Sequence, residues 1–172
     1  MIRLSYAWYN FLMNSHEDYF IEAGKEAEKA LCLRDTPPDR CGSVVVKDGV
    51  VVGRGYNAPP LDDITQRRCH LDLRISDKPK SDRTCCIHAE WRAILDAVKN
   101  QKAEGSILYF VRVDSEGNLK TSNSVPYCTV CSRLALDTGI KEFGLWTKEG
   151  AKFFDTKTYN DLSYAFHEKA NG

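Results

Sequence analysis

The chain has 172 residues, 42% of them hydrophobic and 28% charged, which is enough to bury a core as one soluble globular domain over 1–172. Lys plus Arg and Asp plus Glu stand at 24 each. The resulting zero net charge excludes a chain that holds nucleic acid mainly by bulk charge, while a local basic groove stays open. No signal-peptide or transmembrane pattern is visible. Without a secretory signal, the seven cysteines read as free thiols and metal ligands rather than a disulfide framework, and a cytoplasmic location is expected.

Ser15 with Asp18 reads as a helix start, followed by Phe20, Ala23, Ala27, Ala30 and Leu31 at helical spacing. Pro37-Pro38 closes that region. Two short β-rich runs follow at 42–46 and 50–56, joined by Asp48-Gly49, a tight hairpin signal. Residues 57–83 are polar and weakly periodic, so they read as a long loop with room for a short helix. His88 opens a second helix, on which Ile87, Trp91, Ile94 and Val98 form an expected core-facing stripe. A strand is expected at 106–113 and a turn at Glu116-Gly117. A third helix is expected from Cys128 to about Asp137, with Gly139 suited to its C-terminal cap. Strands at 141–146 and 151–154 flank a turn at 148–150, and Tyr159, Leu162 and Phe166 mark a last helix. This order predicts a mixed sheet with helices on both faces. Because parallel neighbours need a crossover of a dozen or more residues, the gap from Trp146 to Ala151 predicts antiparallel pairing there.

The chemistry concentrates in His88-Ala89-Glu90 and, forty residues on, Cys128-Thr129-Val130-Cys131. A catalytic zinc site keeps three protein ligands and leaves its fourth position to water. His88, Cys128 and Cys131 supply three ligands, and Glu90 is then available for proton transfer. His88 and Cys128 each fall where a helix begins, and the positive end of a helix favours thiolate over thiol. Either half of the pattern alone is weak: Cys-x-x-Cys also serves structural zinc or redox chemistry, and His and Glu are common on helix surfaces.

His-x-Glu followed by Cys-x-x-Cys is the zinc-deaminase signature, and the chain resembles the cytidine/deoxycytidylate deaminase family. It departs from the family pattern at Pro126-Tyr127-Cys128, where Tyr127 stands between the Pro and the first Cys. The likeness extends to Gly55-Tyr56-Asn57, to Arg92-Ala93-Ile94 after the His-x-Glu, and to Ala135 and Gly139-Ile140, so it covers roughly 41–146. It implies a three-layer α/β/α fold with a mixed five-stranded sheet and a core at about 41–147. It also implies Zn2+ at His88, Cys128 and Cys131, and a zinc-bound hydroxide that attacks C4 of a cytosine while Glu90 shuttles the protons and ammonia leaves. Asn57 would contact the sugar, and the backbone N–H groups of Ala89 and Cys128 would help a developing negative charge. Tyr127 would stack on the base or fill the space left by the displaced Pro126. A homo-oligomer is expected by the same analogy.

A small cytosine nucleoside or nucleotide is therefore the expected substrate, with no membrane partner. Alternatives are a nucleic-acid base-editing deaminase, a deaminase of another amine-bearing heterocycle such as guanine, and a metal-binding partner domain without activity. Arg67, Arg68, Lys78, Lys80 and Arg83 are candidates to hold a substrate phosphate, although a solvated loop accounts for most of these charges. Cys41, Cys69, His70, Cys85 and Cys86 invite a second, structural zinc, against which buried or reactive free cysteines are the simpler reading.

Overall fold

The computed structural model describes residues 15–31, 40–67, 86–122 and 125–171. The chain begins its described course with helix α1 (His16–Ala27). Ser15 caps it in both directions: its hydroxyl accepts from the Asp18 amide, and the Asp18 carboxylate accepts from the Ser15 amide. Strands β1 (Arg40–Lys47) and β2 (Val50–Tyr56) form the expected hairpin. Asp48 and Gly49 both take positive φ, 51° and 75°, as a two-residue turn between right-twisted strands requires. After two short 3-10 turns, Pro60–Asp62 and Ile64–Gln66, come α2 (Ala89–Lys99), β3 (Ile107–Val113) and β4 (Leu119–Lys120). The described chain continues with α3 (Thr129–Asp137), β5 (Glu142–Thr147), β6 (Gly150–Asp155) and α4 (Thr156–Asn171).

The sheet runs β2-β1-β3-β5-β6, and only β3 with β5 is parallel. Trp146 sits opposite Ala151, so the short gap does produce an antiparallel pair. The five-strand expectation is one strand short. After the turn at Glu116-Gly117 the chain folds back, and Leu119–Lys120 pairs with the end of β3.

Strand alternation divides the core between two faces. Val44, Val46, Tyr109 and Val111 meet Tyr19, Phe20 and Ala23 of α1. Val45, Leu108, Phe110, Phe143 and Leu145 meet Ala93, Ile94, Ala97, Ala135 and Tyr159, which come from α2, α3 and α4. The architecture is the expected three layers, with one described helix on one face and three on the other. Each large apolar side chain removed from water in this way contributes about 1.5–3 kcal/mol.

The expected stripe of α2 is realised in part. Ile94 is buried as expected, but Val98 is 42% exposed and Ala89, Ala93 and Ala97 are buried. The cause lies in β2. A methyl group at Gly53 would stand 2.2 Å from the Ala93 carbonyl oxygen, and one at Gly55 would stand 2.2 Å from that of Ala89. Two glycines let the helix backbone ride directly on the strand, so small alanines line the contact. On α4, Tyr159 is buried as expected, but Leu162 and Phe166 are exposed beyond a third.

Along the outer edge of β2, the Asp96 carboxylate accepts from the Arg54 amide and the Asn100 side-chain amide donates to the Val52 carbonyl, each at 3.0 Å.

Candidate active site

The site forms where the C-terminal end of β2, the N-terminal end of β1 and the starts of α2 and α3 converge. Asn57 follows β2 directly. Its side-chain oxygen accepts from the Cys41 amide at 2.7 Å, its own amide donates to the Cys41 carbonyl at 3.2 Å, and its carbonyl accepts from Leu31. Asn57 is thus the joint between β1, β2 and the exit of α1. Ala58 and Ile87 then exchange backbone hydrogen bonds at 3.3 and 2.8 Å, which fixes the residue before His88 against the end of β2.

His88 occupies the cap position of α2 in extended conformation, and its side chain makes no capping bond. Its Nδ1 lies 3.1 Å from the Cys131 sulfur and 3.5 Å from the Cys128 sulfur. Cys128 occupies the cap position of α3, where its sulfur accepts from the Cys131 amide at 3.4 Å. The two sulfurs are 2.7 Å apart. Glu90, in the first turn of α2, is 6% exposed, and its carboxylate joins the two sulfurs and the imidazole in a group lying within 4.8 Å of one another. The sequence-predicted ligands and proton carrier are therefore brought together.

The electrostatics follow from this crowding. The thiol of Cys131 donates to the Cys128 sulfur and His88 adds its hydrogen bond, which pulls the Cys128 pKa down to about 5 against the opposing effect of burial. Burial and the same shared proton push Cys131 up. Burial, with the Cys128 charge adding and His88 opposing, raises Glu90 to about 7. One imidazole and two thiols, one already biased to thiolate, make the nitrogen and sulfur donor set that zinc takes in tetrahedral sites. A dication there would displace the shared proton and hold both sulfurs as thiolates.

The remaining predicted residues fall around this centre. Ala89, fully buried, is the first residue of α2, where helix amides have no acceptor within the helix. Tyr127, next to Cys128, is 37% exposed, and its ring lies 6.1 Å from that of Phe166. Its hydroxyl pKa is raised, by burial first and by Glu90 second, with Arg112 opposing. Arg67 donates to the Leu31 carbonyl at 2.8 Å and so ties the loop to the exit of α1. Arg68, Lys78, Lys80 and Arg83 lie outside the described residues, as do Cys69, His70 and Cys85. Cys41 is half-buried and Cys86 is buried. Among the described residues, the metal-capable group is the one at His88, Glu90, Cys128 and Cys131.

One cluster escaped the sequence reading. Arg92 pairs with Asp62 at 2.9 Å, donates to the Pro59 carbonyl at 2.8 Å and lies over the Tyr56 ring at 5.0 Å, while the Tyr56 hydroxyl donates to Asp62 at 2.6 Å. This holds Leu61 and Asp62 in left-handed conformation, φ 58° and 59°, and fastens the loop to the ligand-bearing helix. The signal was available: four residues after His88, Arg92 shares its helix face.

Residues 13–147 match the family described as the cytidine and deoxycytidylate deaminase zinc-binding region. The chain belongs to this zinc-binding family. Its similarity to the deoxycytidylate deaminase of Schizosaccharomyces pombe is 30% identity over 132 residues, which is 74% of this chain and 36% of that protein. The chain thus spans about a third of the length of this relative. Among solved structures, the dCMP deaminase of cyanophage S-TIM5 in complex with dCMP and dUMP superposes with a TM-score of 0.50 and 22% identity, over 74% of this chain and 76% of that one. That likeness concerns the fold. No helix among the described residues is long and apolar enough to cross a membrane.

Proposed function

We propose that the chain is a zinc-dependent hydrolytic deaminase of a cytosine nucleoside or nucleotide, converting the 4-amino group to a carbonyl and releasing ammonia. The observation that carries this reading is the enclosure of one carboxylate, Glu90, among a His-Cys-Cys donor set on two helix starts. His88, Cys128 and Cys131 would hold the zinc, and the two cysteines would bring it two negative charges. When bound, zinc acts as a Lewis acid that makes water a competent nucleophile near neutral pH.

Glu90 does the proton work. It takes a proton from the attacking water and delivers it to the ring nitrogen beside the reacting carbon; it then takes the remaining proton from the hydroxyl now on that carbon and gives it to the amine, so that the C–N bond breaks, the carbonyl forms and ammonia leaves. Its burial suits this part, because desolvation raises the carboxyl and makes it readier to take up and hold a proton. The amides at the starts of α2 and α3, those of Ala89 and Cys128 among them, point positive helix ends at the reacting oxygen. Asn57 holds the β1–β2 end in place and is the candidate for the sugar.

One fact supports a monophosphate as the preferred form: the S. pombe relative is named a deoxycytidylate deaminase. The balanced charge, which gives no broad surface for a polyanion, favours a small substrate over a nucleic acid. Ammonia release from zinc-loaded protein should be followed with cytidine, deoxycytidine, their monophosphates, guanine, a short single-stranded oligonucleotide and tRNA. Turnover of the monophosphates is the expected result. Turnover of only the oligonucleotide or tRNA would replace this reading with base editing. Turnover of guanine alone would keep the zinc chemistry and discard the cytosine pocket.

A further inference from the structure

Helix α4 begins at Thr156, beyond the residues that match the family, and its start is fixed to the sheet. The Thr156 amide donates to the Lys141 carbonyl at 3.1 Å, and the Asp155 carboxylate accepts from the Thr158 amide at 3.0 Å. The buried Tyr159 ring stacks on Phe143 of β5 with centroids 3.9 Å apart and planes 13° from parallel, and meets the Phe154 ring of β6 edge-on at 5.8 Å. The next residue reaches the other way. The Asn160 side-chain oxygen accepts from the Ser132 hydroxyl at 2.8 Å. Ser132 is fully buried, directly follows Cys131 and lies in the first turn of α3. Helix α3 has nine residues, and a helix that short takes its direction from what packs on it. The Ser132 hydroxyl has a second acceptor in reach, the Thr129 carbonyl of its own helix at 3.1 Å. One hydroxyl carries one hydrogen. The shorter contact is the one to Asn160, so the hydrogen is directed between two helices although an acceptor inside α3 is at hand.

Resting on the ligand assignment above, we propose that Asn160 is a positioning residue for the metal centre: through Ser132 it holds the first turn of α3, and with it Cys128 and Cys131, in place opposite His88. Groups behind a metal's ligands orient them, and losing such a group weakens metal binding by about 10–100-fold. A purely stabilising role does not account for the bond. Without Asn160 the Ser132 hydroxyl still has Thr129, so no buried donor is orphaned. What Thr129 cannot supply is direction. A bond within α3 moves with α3, whereas Asn160 sits between the anchored start of α4 and the stacked Tyr159 on one side and α3 on the other. The His88 Nδ1 lies 3.1 and 3.5 Å from the two sulfurs, which both ride on the start of α3. A swing of α3 therefore moves both sulfurs together relative to the imidazole on α2.

The test uses the full chain with zinc, and with cobalt as a coloured substitute. In Asn160→Ala, chelator competition should show zinc held about tenfold more weakly. The visible bands of the cobalt form should shift in position or intensity, while the Tm of the metal-free protein stays close to the parent value. Asn160→Asp keeps an acceptor oxygen for Ser132 and should restore both the affinity and the bands. Asn160→Leu, of similar size but without an acceptor, should restore neither. Asp155→Ala removes the cap of α4 without touching Ser132, and should lower Tm by about 2–4 °C with parental zinc affinity and cobalt bands. Parental affinity and bands in Asn160→Ala and Asn160→Leu overturn the positioning role. An equal loss of affinity in Asp155→Ala overturns it too, since α4 would then act only as a structural prop. A parent that binds no zinc, or a Cys131→Ala variant that keeps it, overturns the ligand assignment and the positioning role with it.

Discussion

The start of α1 and the starts of α2 and α3 solve the same problem in different ways. The first amides of any helix need acceptors. At α1, Ser15 and Asp18 supply them in a reciprocal box. At α2 the cap residue is His88, whose side chain makes no cap bond and turns to two sulfurs. At α3 the cap is Cys128, whose sulfur accepts one amide at 3.4 Å and also sits in the donor cluster. Good side-chain caps contribute about 1 kcal/mol. Two of these helices have given up most of that contribution at the positions that carry the chemistry. Stability has been placed at one helix start and reactivity at the other two, and substitutions at each should therefore report on different quantities.

The largest effect is expected from Cys131→Ala. Removing a fully buried donor should leave purified protein with little zinc by metal analysis and with no measurable ammonia release. Parental zinc content would take Cys131 out of the donor set. Glu90→Gln comes next: zinc should be retained, while turnover falls by on the order of 10²–10⁴, because the amide cannot carry a proton. Zinc lost together with activity would make Glu90 a fourth ligand instead of a proton carrier.

Gly55→Ala acts on the platform beneath both. Its methyl group would meet the Ala89 carbonyl at 2.2 Å and lift the first turn of α2. Overpacking of this kind costs about 1–3 kcal/mol, and each kcal/mol moves Tm by about 2–4 °C in a chain of this size. Calorimetry should show that fall, with weaker zinc binding in a chelator competition. The smallest effect is Ser15→Ala, which should lower stability by about 1 kcal/mol in denaturant titration and leave zinc content and kcat unaltered. A change in zinc there would mean that the two kinds of helix start are not independent.

The sequence carried the donor set and most of the topology because those depend on local signals. Asp48-Gly49, Gly139 and the four-residue gap from Trp146 to Ala151 each dictate a geometry through backbone chemistry alone, and all three are realised. Side-chain orientation was less legible where two elements set it jointly. The period of α2 pointed to Ile87, Trp91, Ile94 and Val98; Ile94 is in the core, but Gly53 and Gly55 on a separate strand seat the alanines against β2 and leave Val98 exposed. Leu119–Lys120 is too short to show alternation and becomes a strand only because β3 offers it an edge. The Tyr56–Asp62–Arg92 cluster joins residues whose partnership no single periodicity contains. The ring contact between Tyr127, ahead of α3, and Phe166 on α4 was likewise out of reach.

The two bonds that α2 sends to the outer edge of β2 bear on how the molecule behaves in a crowd. A bare strand edge is a template on which a neighbouring chain can add its own strand, and repeated addition produces fibres. Here the Arg54 amide and the Val52 carbonyl, both facing outward, are already taken by Asp96 and Asn100. A foreign strand must displace two side chains of a packed helix before it gains its first ladder bond. At the opposite edge, β6 sets Lys152 over the Phe154 ring at 5.1 Å, keeping a charge where an incoming strand would have to desolvate it. The β2 edge is thereby closed to an added strand at Val52 and Arg54, and the same helix α2 that delivers His88 and Glu90 at one end does this at the other.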